Sequence, residues 1–506
     1  MPTIVLKSVP GIKRDGTKYE GDYYVDGQWV RWQRGLPRKM GGYRSTQRFL
    51  TQVSRGFSTF TQQLFVYCHS GGSSKLERFT LDASGNSSIV TDRTPAGITA
   101  SDNNQWMFDY QYDASLGQNY VLAHVAPNRE CICNDAGGQI FYGPVLGTST
   151  LSAITLPAGT NATGGIVSLH PYLFFYGTDG VVGWSVPGDP TDLTGAGSGV
   201  ARPWGQKFIK AMPLRAGSGS APAGIFWAYD AVVRATFVGG TSAFQFDVIA
   251  TDTSIISPQC VVDYDGVFFW AGVDRFLMFN GVVREVPNQL NLNYFFEGIS
   301  PRGRNQVFAF KVPRYGEIWW CYPRGDATEC THAVIYNVRE NTWYDTELPN
   351  NGRSAGQFNN SFAAPILTGA ENTGSGYRVW VHEQYTDEYD GPNIRPIRSF
   401  FETADLSSLA QGQDEALRIT MIEPDFVQSG PMTVQVTGRA NARAPEIVSS
   451  TFTFPEAASV PHEQIVMLKE QRRELRVRFE SNAVYGNYQM GQIIGHIEPA
   501  DRTHLG

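Results

Sequence analysis

The sequence predicts an all-β protein: a β-propeller of about six or seven blades, an extended or hairpin segment before it and a β-sandwich after it. Three observations point there. Almost no segment holds apolar residues at helical spacing over three turns. The glycines and prolines, Gly 53 and Pro 28 among 506 residues, are spread evenly, as many short strands with tight turns require. Strands recur in groups of roughly four, with periods of about 40–50 residues. Several stacked sandwiches are the alternative within the all-β class.

A chain of 506 residues exceeds one compact core. The expected division is 1–54 as a basic extended segment, 55–384 as the propeller, 385–399 as a linker, 400–498 as the sandwich and 499–506 as a tail.

The blade pattern is plainest from Asp263 to Asp345. Asp265-Gly266 is a tight-turn pair, followed by the apolar run Val267–Trp270 and, after a turn, by Arg275–Phe279. Asn280-Gly281, the strongest hairpin signal in the chain, leads into Val282–Val286 before Pro287 stops the strand. A linker around Leu290–Phe296 has room for one helical turn or two. Four more strands follow at Asn305–Val312, Glu317–Tyr322, Ala333–Asn337 and Thr342–Asp345, so this stretch is two meanders end to end.

Before it, Tyr23–Val25 and Gln28–Trp32 flank Asp26-Gly27 as an expected hairpin, and Arg34–Tyr43 is expected to be loop. Strands are predicted at Phe60–Cys68, Leu76–Leu81, Gln105–Tyr112, Tyr120–Val125 and Gln139–Tyr142, with 145–165 as loop or edge. Others follow at Ile166–Leu169, Tyr172–Tyr176, Val181–Val186, Lys207–Met212, Ile225–Tyr229, Val232–Phe237 and Phe244–Ile249. Beyond the polar, turn-rich 385–396, strands lengthen: Ala416–Ile422, Met432–Gly438, Val448–Phe454 and Leu475–Glu480. In the last, Leu475, Val477 and Phe479 share one face and Arg476 and Arg478 the other.

The net charge of −7 is uneven: residues 1–50 hold ten Lys/Arg against four Asp/Glu, leaving −13 for the rest. A basic arm on an acidic body points either to docking on an acidic partner or to a solvated, partly ordered terminus, and lacks the broad basic surface of a dedicated DNA binder. No run of 18 apolar residues predicts a membrane span, and the N-terminus lacks a basic leader with a long apolar core. Synthesis in a cytosol is expected. The six cysteines are scattered, so reduced and mostly buried thiols are expected rather than a disulfide framework.

Candidates for chemistry are few. Cys131-Ile132-Cys133 with His124 is half of a zinc site without the other half. Gly195–Gly199 lacks the strand and helix of a phosphate loop, and Asp263–Gly266 lacks a third calcium ligand. Trp380–Asp390 mixes aromatics with Glu383, Asp387, Glu388 and Asp390, the best glycosidase candidate, yet its acids share one loop and do not frame a cleft. No nucleophile elbow or zincin motif is present. The expectation is no enzyme, no cofactor and no metal.

Several ordered motifs resemble the tail nozzle, or packaged-DNA stabilisation, proteins of short-tailed bacteriophages. Gly183–Asp192 is similar to their "S-x-x-G-D-P-T-D/N" turn. Phe269–Phe276 with Phe279-Asn280-Gly281 and Val286-Pro287 is similar to "W-x-G-x-D-x-F…x-x-G-x-x-x-x-V-P". Gly316–Tyr322 with Tyr336-Asn337 and Asn341–Tyr344 resembles "E-I/V-W-W-x-Y…Y-N…x-T-W", and Arg478–Asn482 with Gly486–Gly491 resembles a C-terminal strand-turn-strand of phage structural proteins. The resemblance implies a virion tail protein. It would form a homo-oligomeric ring, a hexamer by analogy, below portal and adaptor proteins. The ring would pass double-stranded DNA without sequence-specific binding, help retain the genome and carry fibres or spikes. In that setting Arg34, Arg38 and Lys39 of the basic arm are the expected adaptor-docking residues. The alternative is a receptor-binding or glycan-active propeller at the tail tip.

Overall fold

A computed structural model describes residues 3–126, 137–214, 221–240, 243–406, 416–456 and 465–500. Six four-stranded sheets follow one another along the chain, each a set of sequential antiparallel neighbours. Their innermost strands are Phe57–Gln62, Gln105–Asp113, Gly165–Leu169, Phe208–Pro213, Val262–Tyr264 and Phe308–Val312. A seventh blade begins at Arg353–Asn359, continues through Ala364–Asn372 and Tyr377–His382, and takes its fourth strand, Tyr43–Leu50, from the start of the chain. Each sheet is open. The ring comes from sheets packing face to face: each innermost strand but the fourth touches the next, and Arg353–Asn359 returns to Phe57–Gln62. Between the fourth and fifth blades the join is side-chain packing, with Ile209 in one core with Val261 and Val262. This is a β-propeller.

Packing between blades explains why clean alternation is rare in these strands. Tyr172–Tyr176 and Glu317–Tyr322 are buried at every residue, because both faces of a blade meet a neighbour. Two indole N–H groups are satisfied across the joins: Trp320 donates to the Cys260 carbonyl at 2.9 Å, and Trp343 donates to Pro287 at 2.8 Å. The stretch 263–345 does form two sheets end to end, with the helical turn Leu292–Phe296 between them.

Several local expectations are corrected. Phe60–Cys68 is not one strand but a hairpin, turning at Gln63 (φ 56°) between Phe57–Gln62 and Phe65–Gly71. The 145–165 segment, by contrast, is as expected in part an edge: it contains the edge strand Ser152–Ile154. The Asp26-Gly27 hairpin does not form: Asp26–Gln28 pairs with Ser399–Glu402, far along the chain. The real hairpin joins Val30–Gln33 to Leu36–Lys39 through Arg34-Gly35, both with positive φ (56° and 74°), the geometry of a two-residue turn. The expected loop at 34–43 is therefore turn and strand.

The C-terminal residues build two sheets. One runs Val466–Arg472, Ala416–Ser429, Asn487–Ala500, Leu36–Lys39 and Val30–Gln33, with Thr3–Val5 also on Asn487–Ala500. The other runs Asp26–Gln28, Ser399–Glu402, Glu474–Ser481, Met432–Arg439 and Ile447–Val448, with Phe452–Phe454 also on Met432–Arg439. Leu417, Ile419 and Phe426 of the first share a core with Val434, Val477 and Phe479 of the second, and the Phe426 and Phe479 rings are 5.5 Å apart. Residues 3–50 thus supply strands to both sheets and to the seventh blade. In the 385–399 segment, Glu388–Asp390 pairs with Asn393–Arg395 and with Tyr43-Arg44.

Candidate functional site

The site with most chemistry in it is the junction where the N-terminal strands meet the sixth and seventh blades. Arg31, on Val30–Gln33, is buried and lies between two acids. Its Nε is 2.8 Å from Glu317 Oε1, and its Nη1 and Nη2 donate to Glu383 at 2.8 and 2.5 Å. Glu317 also accepts from Trp319 Nε1 at 2.9 Å and from the Tyr344 hydroxyl at 2.7 Å, and the Tyr315 ring covers the guanidinium at 3.8 Å. Burial opposes the Arg31 charge, but Glu317 and Glu383 outweigh it and hold its pKa above the ordinary value. Burial pushes the Glu317 carboxyl above the usual range, with Arg31 pulling it back. A second clamp repeats the pattern: Arg14 donates to Asp345 at 2.9 Å and to Asp26 at 2.6 Å.

The three expected docking residues sit on one hairpin but differ in character. Arg34 is exposed at its turn, where the Arg34 and Gly35 backbone amides both donate to Glu340. Arg38 is half-buried and donates to Gln33 at 2.7 Å. Lys39 is buried at 2% exposure, donating to the Gly486 carbonyl at 2.7 Å with Asp387 3.9 Å away. It is an internal brace and offers no charge to a partner, because strand alternation turns it toward the core.

The glycosidase candidates are braces as well. Glu383 holds Arg31, Asp387 accepts the Tyr485 amide, Glu388 accepts the Tyr43 hydroxyl at 3.0 Å, and Asp390 pairs with Arg378. Trp380, Glu388 and Asp390 do line one cavity of ≈ 280 Å³, but with Arg378 and Arg395, the partners of those acids. Tyr385 opens on a different groove. Arg476, on the strand face opposite Leu475 and Val477, is buried against Glu402 at 2.8 Å and Glu446 at 2.9 Å.

The remaining candidates resolve locally. Asp263 Oδ1 accepts the Gly266 amide at 2.9 Å, closing the hairpin whose turn holds Asp265 at φ 52°. Asp192 Oδ1 accepts the Thr194 and Gly195 amides, ordering the start of the glycine-rich loop. His124 is buried, with Nε2 on the Ala162 carbonyl at 2.5 Å; Cys131 and Cys133 lie outside the described residues. Cys68, Cys260, Cys321 and Cys330 are free and buried, and burial pushes Cys260 up to about 11. Among the described residues no group of three or more His, Cys, Asp or Glu is placed to hold a metal, and no helix is long and apolar enough to cross a membrane.

At the propeller axis, innermost strands of six blades enclose a cavity of ≈ 300 Å³. Lys311, in its lining, donates to the Asp263 carbonyl at 2.7 Å. Lys210 faces it too, its pKa lowered by burial against the opposing pull of Asp109.

The junction was not legible in the sequence. Arg31 is 286 residues from Glu317 and 352 from Glu383, and no local motif joins such partners.

No family model matches the chain, and no curated protein does. Among solved structures it is similar to the WD40 repeats of RRP9 (TM-score 0.42, 8% identity, 68% of this chain and 99% of that one). It is also similar to U3-55K (0.40, 8%, 67% and 98%) and to the WD40 β-propeller domain of Doa1 (0.40, 10%, 67% and 97%). Likenesses this loose carry no argument about function.

Proposed function

We propose that the chain is a structural protein of a bacteriophage tail, a nozzle or hub subunit of the kind its motifs resemble. In this reading the propeller has seven blades closed by Tyr43–Leu50, and the C-terminal sheets form a β-sandwich completed by the N-terminal strands. A homo-oligomeric ring, hexameric by resemblance, extends the DNA exit channel below portal and adaptor. It retains the genome, carries fibres or spikes, and passes duplex DNA without sequence-specific contact. The protein's place is the virion tail, and it has no enzymatic role.

The observation that carries the structural role is the use made of the acids best placed for catalysis. Glu383, Glu388 and Asp390 are each engaged by an arginine, and Arg31 ties Glu383 to Glu317 across three separate stretches of chain. Such long-range pairs suit a part that transmits load between neighbours. The acidic character outside the first 50 residues fits a channel wall, since like charge avoids the phosphate contacts that stall sliding DNA.

Electron microscopy and analytical ultracentrifugation of the purified protein, alone and with tailless heads, test this. Closed rings, or sixfold attachment to heads, are expected. A monomer that neither assembles nor attaches, or turnover of bacterial surface polysaccharide abolished by Glu383→Gln, would overturn it. Arg34→Ala with Arg38→Ala should weaken attachment and leave the fold intact.

A further inference from the structure

A groove of ≈ 530 Å³ lies between the closing strand Tyr43–Leu50, the turn at 82–87 of the first blade and residues 385–391. That is within the ordinary range of small-ligand clefts. The strand is bulged here: its pairing with Tyr377–His382 shifts register, and Gln47 adopts φ 58°. Bulges re-aim side chains, and this one gathers Arg44, Gln47 and Arg48 along the groove.

Tyr385 forms the opposite wall. It holds φ 60°, costly for an aromatic residue, yet its ring is 62% exposed. The backbone is pinned there, because the Tyr385 carbonyl accepts the Gly42 amide at 3.1 Å and the Asp387 carbonyl accepts the Tyr43 amide at 3.1 Å. Its ring centroid lies 4.7 Å from that of Tyr389, with the two planes tilted by 44°, so the tyrosines form an angled pair on this wall.

The groove arginines donate to backbone carbonyls. Arg44 Nη2 donates to the Ser84 carbonyl at 2.8 Å, and Arg48 donates through Nε and Nη2 to the Ser87 carbonyl at 3.2 and 2.8 Å. Carbonyls orient a guanidinium without neutralising it. No lining residue is acidic, although the protein carries −7 overall. Asp82 accepts the Ser84 and Asn86 amides and also feels the Arg44 charge, so Arg44 is partly offset, while Asp390 accepts from Gln47 and pairs with Arg378.

We propose that this groove binds an acidic saccharide, stacking a pyranose face on Tyr385 and Tyr389 and holding its carboxylate, sulfate or phosphate group with Arg44 and Arg48. Nucleic acid fits less well. A strand needs a continuous basic track, and here two arginines are flanked by Asp82 and Asp390. The proposal stands on the groove alone and does not rest on the tail reading, whose test is assembly.

The experiment is binding of the full chain to an array of oligosaccharides bearing uronate, sialate, sulfate or phosphate groups, with neutral counterparts. Titration calorimetry of the best binder follows, with a thymidine oligonucleotide as competitor. At least one acidic glycan should bind saturably and its neutral counterpart much less. Tyr385→Ala and Arg48→Gln should each weaken binding by about tenfold or more. Both variants should keep the wild-type melting curve, because Tyr385 is exposed and the hydrogen bonds of Arg48 go to the Ser87 carbonyl alone. No binder on the array, binding indifferent to both substitutions in folded protein, or full displacement by the oligonucleotide through the same residues would each overturn the proposal.

Discussion

Arg31 Nε lies 2.8 Å from Glu317 Oε1, and both side chains are shut away from water at 1% and 0% exposure. The pair joins the N-terminal strands to the sixth blade, and Glu383 at the end of the seventh blade completes it. Isolated, either charge would be very costly there. Together, with Trp319, Tyr344 and Tyr315 around them, the hydrogen-bonding demands of the Glu317 carboxylate are met.

Removing one partner should therefore be much worse than removing an ordinary surface charge. Arg31→Leu leaves Glu317 and Glu383 facing each other, and is expected to cost about 3–5 kcal/mol. Urea denaturation followed by tryptophan fluorescence measures it. A loss below about 1 kcal/mol, the level of an exposed pair, would show that the clasp is not formed in solution.

Lys39 supplies a pH signature. Burial lowers its pKa to about 8 from 10.5, with Asp387 pulling the other way. The folded pKa lies below the unfolded one, so the unfolded chain binds more protons across that window. The stability contribution is fully present above about 10.5 and is lost as pH falls through about 8. Relative to Lys39→Met, the wild type should gain up to about 3 kcal/mol as pH rises from 8 to 10.5. Parallel melting curves of the two proteins over that range would contradict it.

Cleavage between the two parts should not separate them. A site-specific protease sequence inserted at Gly391-Pro392 cuts the turn between Glu388–Asp390 and Asn393–Arg395. Residues 3–39 remain bonded to the C-terminal sheets through Thr3–Val5, Asp26–Gln28 and Leu36–Lys39. The nicked protein should elute as one species on gel filtration and dissociate only in denaturant. Two folded fragments eluting separately would mean that those pairings do not hold the parts together.

What the sequence determined alone is whatever depends on neighbours a few residues apart. Asp265-Gly266 sets a hairpin because both residues take positive φ, and the Trp319–Tyr322 run is apolar on both faces because a blade is buried on both. From these the all-β class and the two meanders at 263–345 could be read directly. Even the Arg34-Gly35 turn is locally encoded, in a pair of residues that both take positive φ. Tertiary structure alone decided which distant strands meet. Nothing near Tyr43–Leu50 says that it completes a blade begun at Arg353, and nothing near Asp26–Gln28 says that it pairs with Ser399–Glu402. The backbone hydrogen bonds that make these choices are the same for every residue type. Only the enclosed packing of the whole chain selects among them, and it also turns Lys39, Glu383 and Arg476 from apparent surface charges into internal braces.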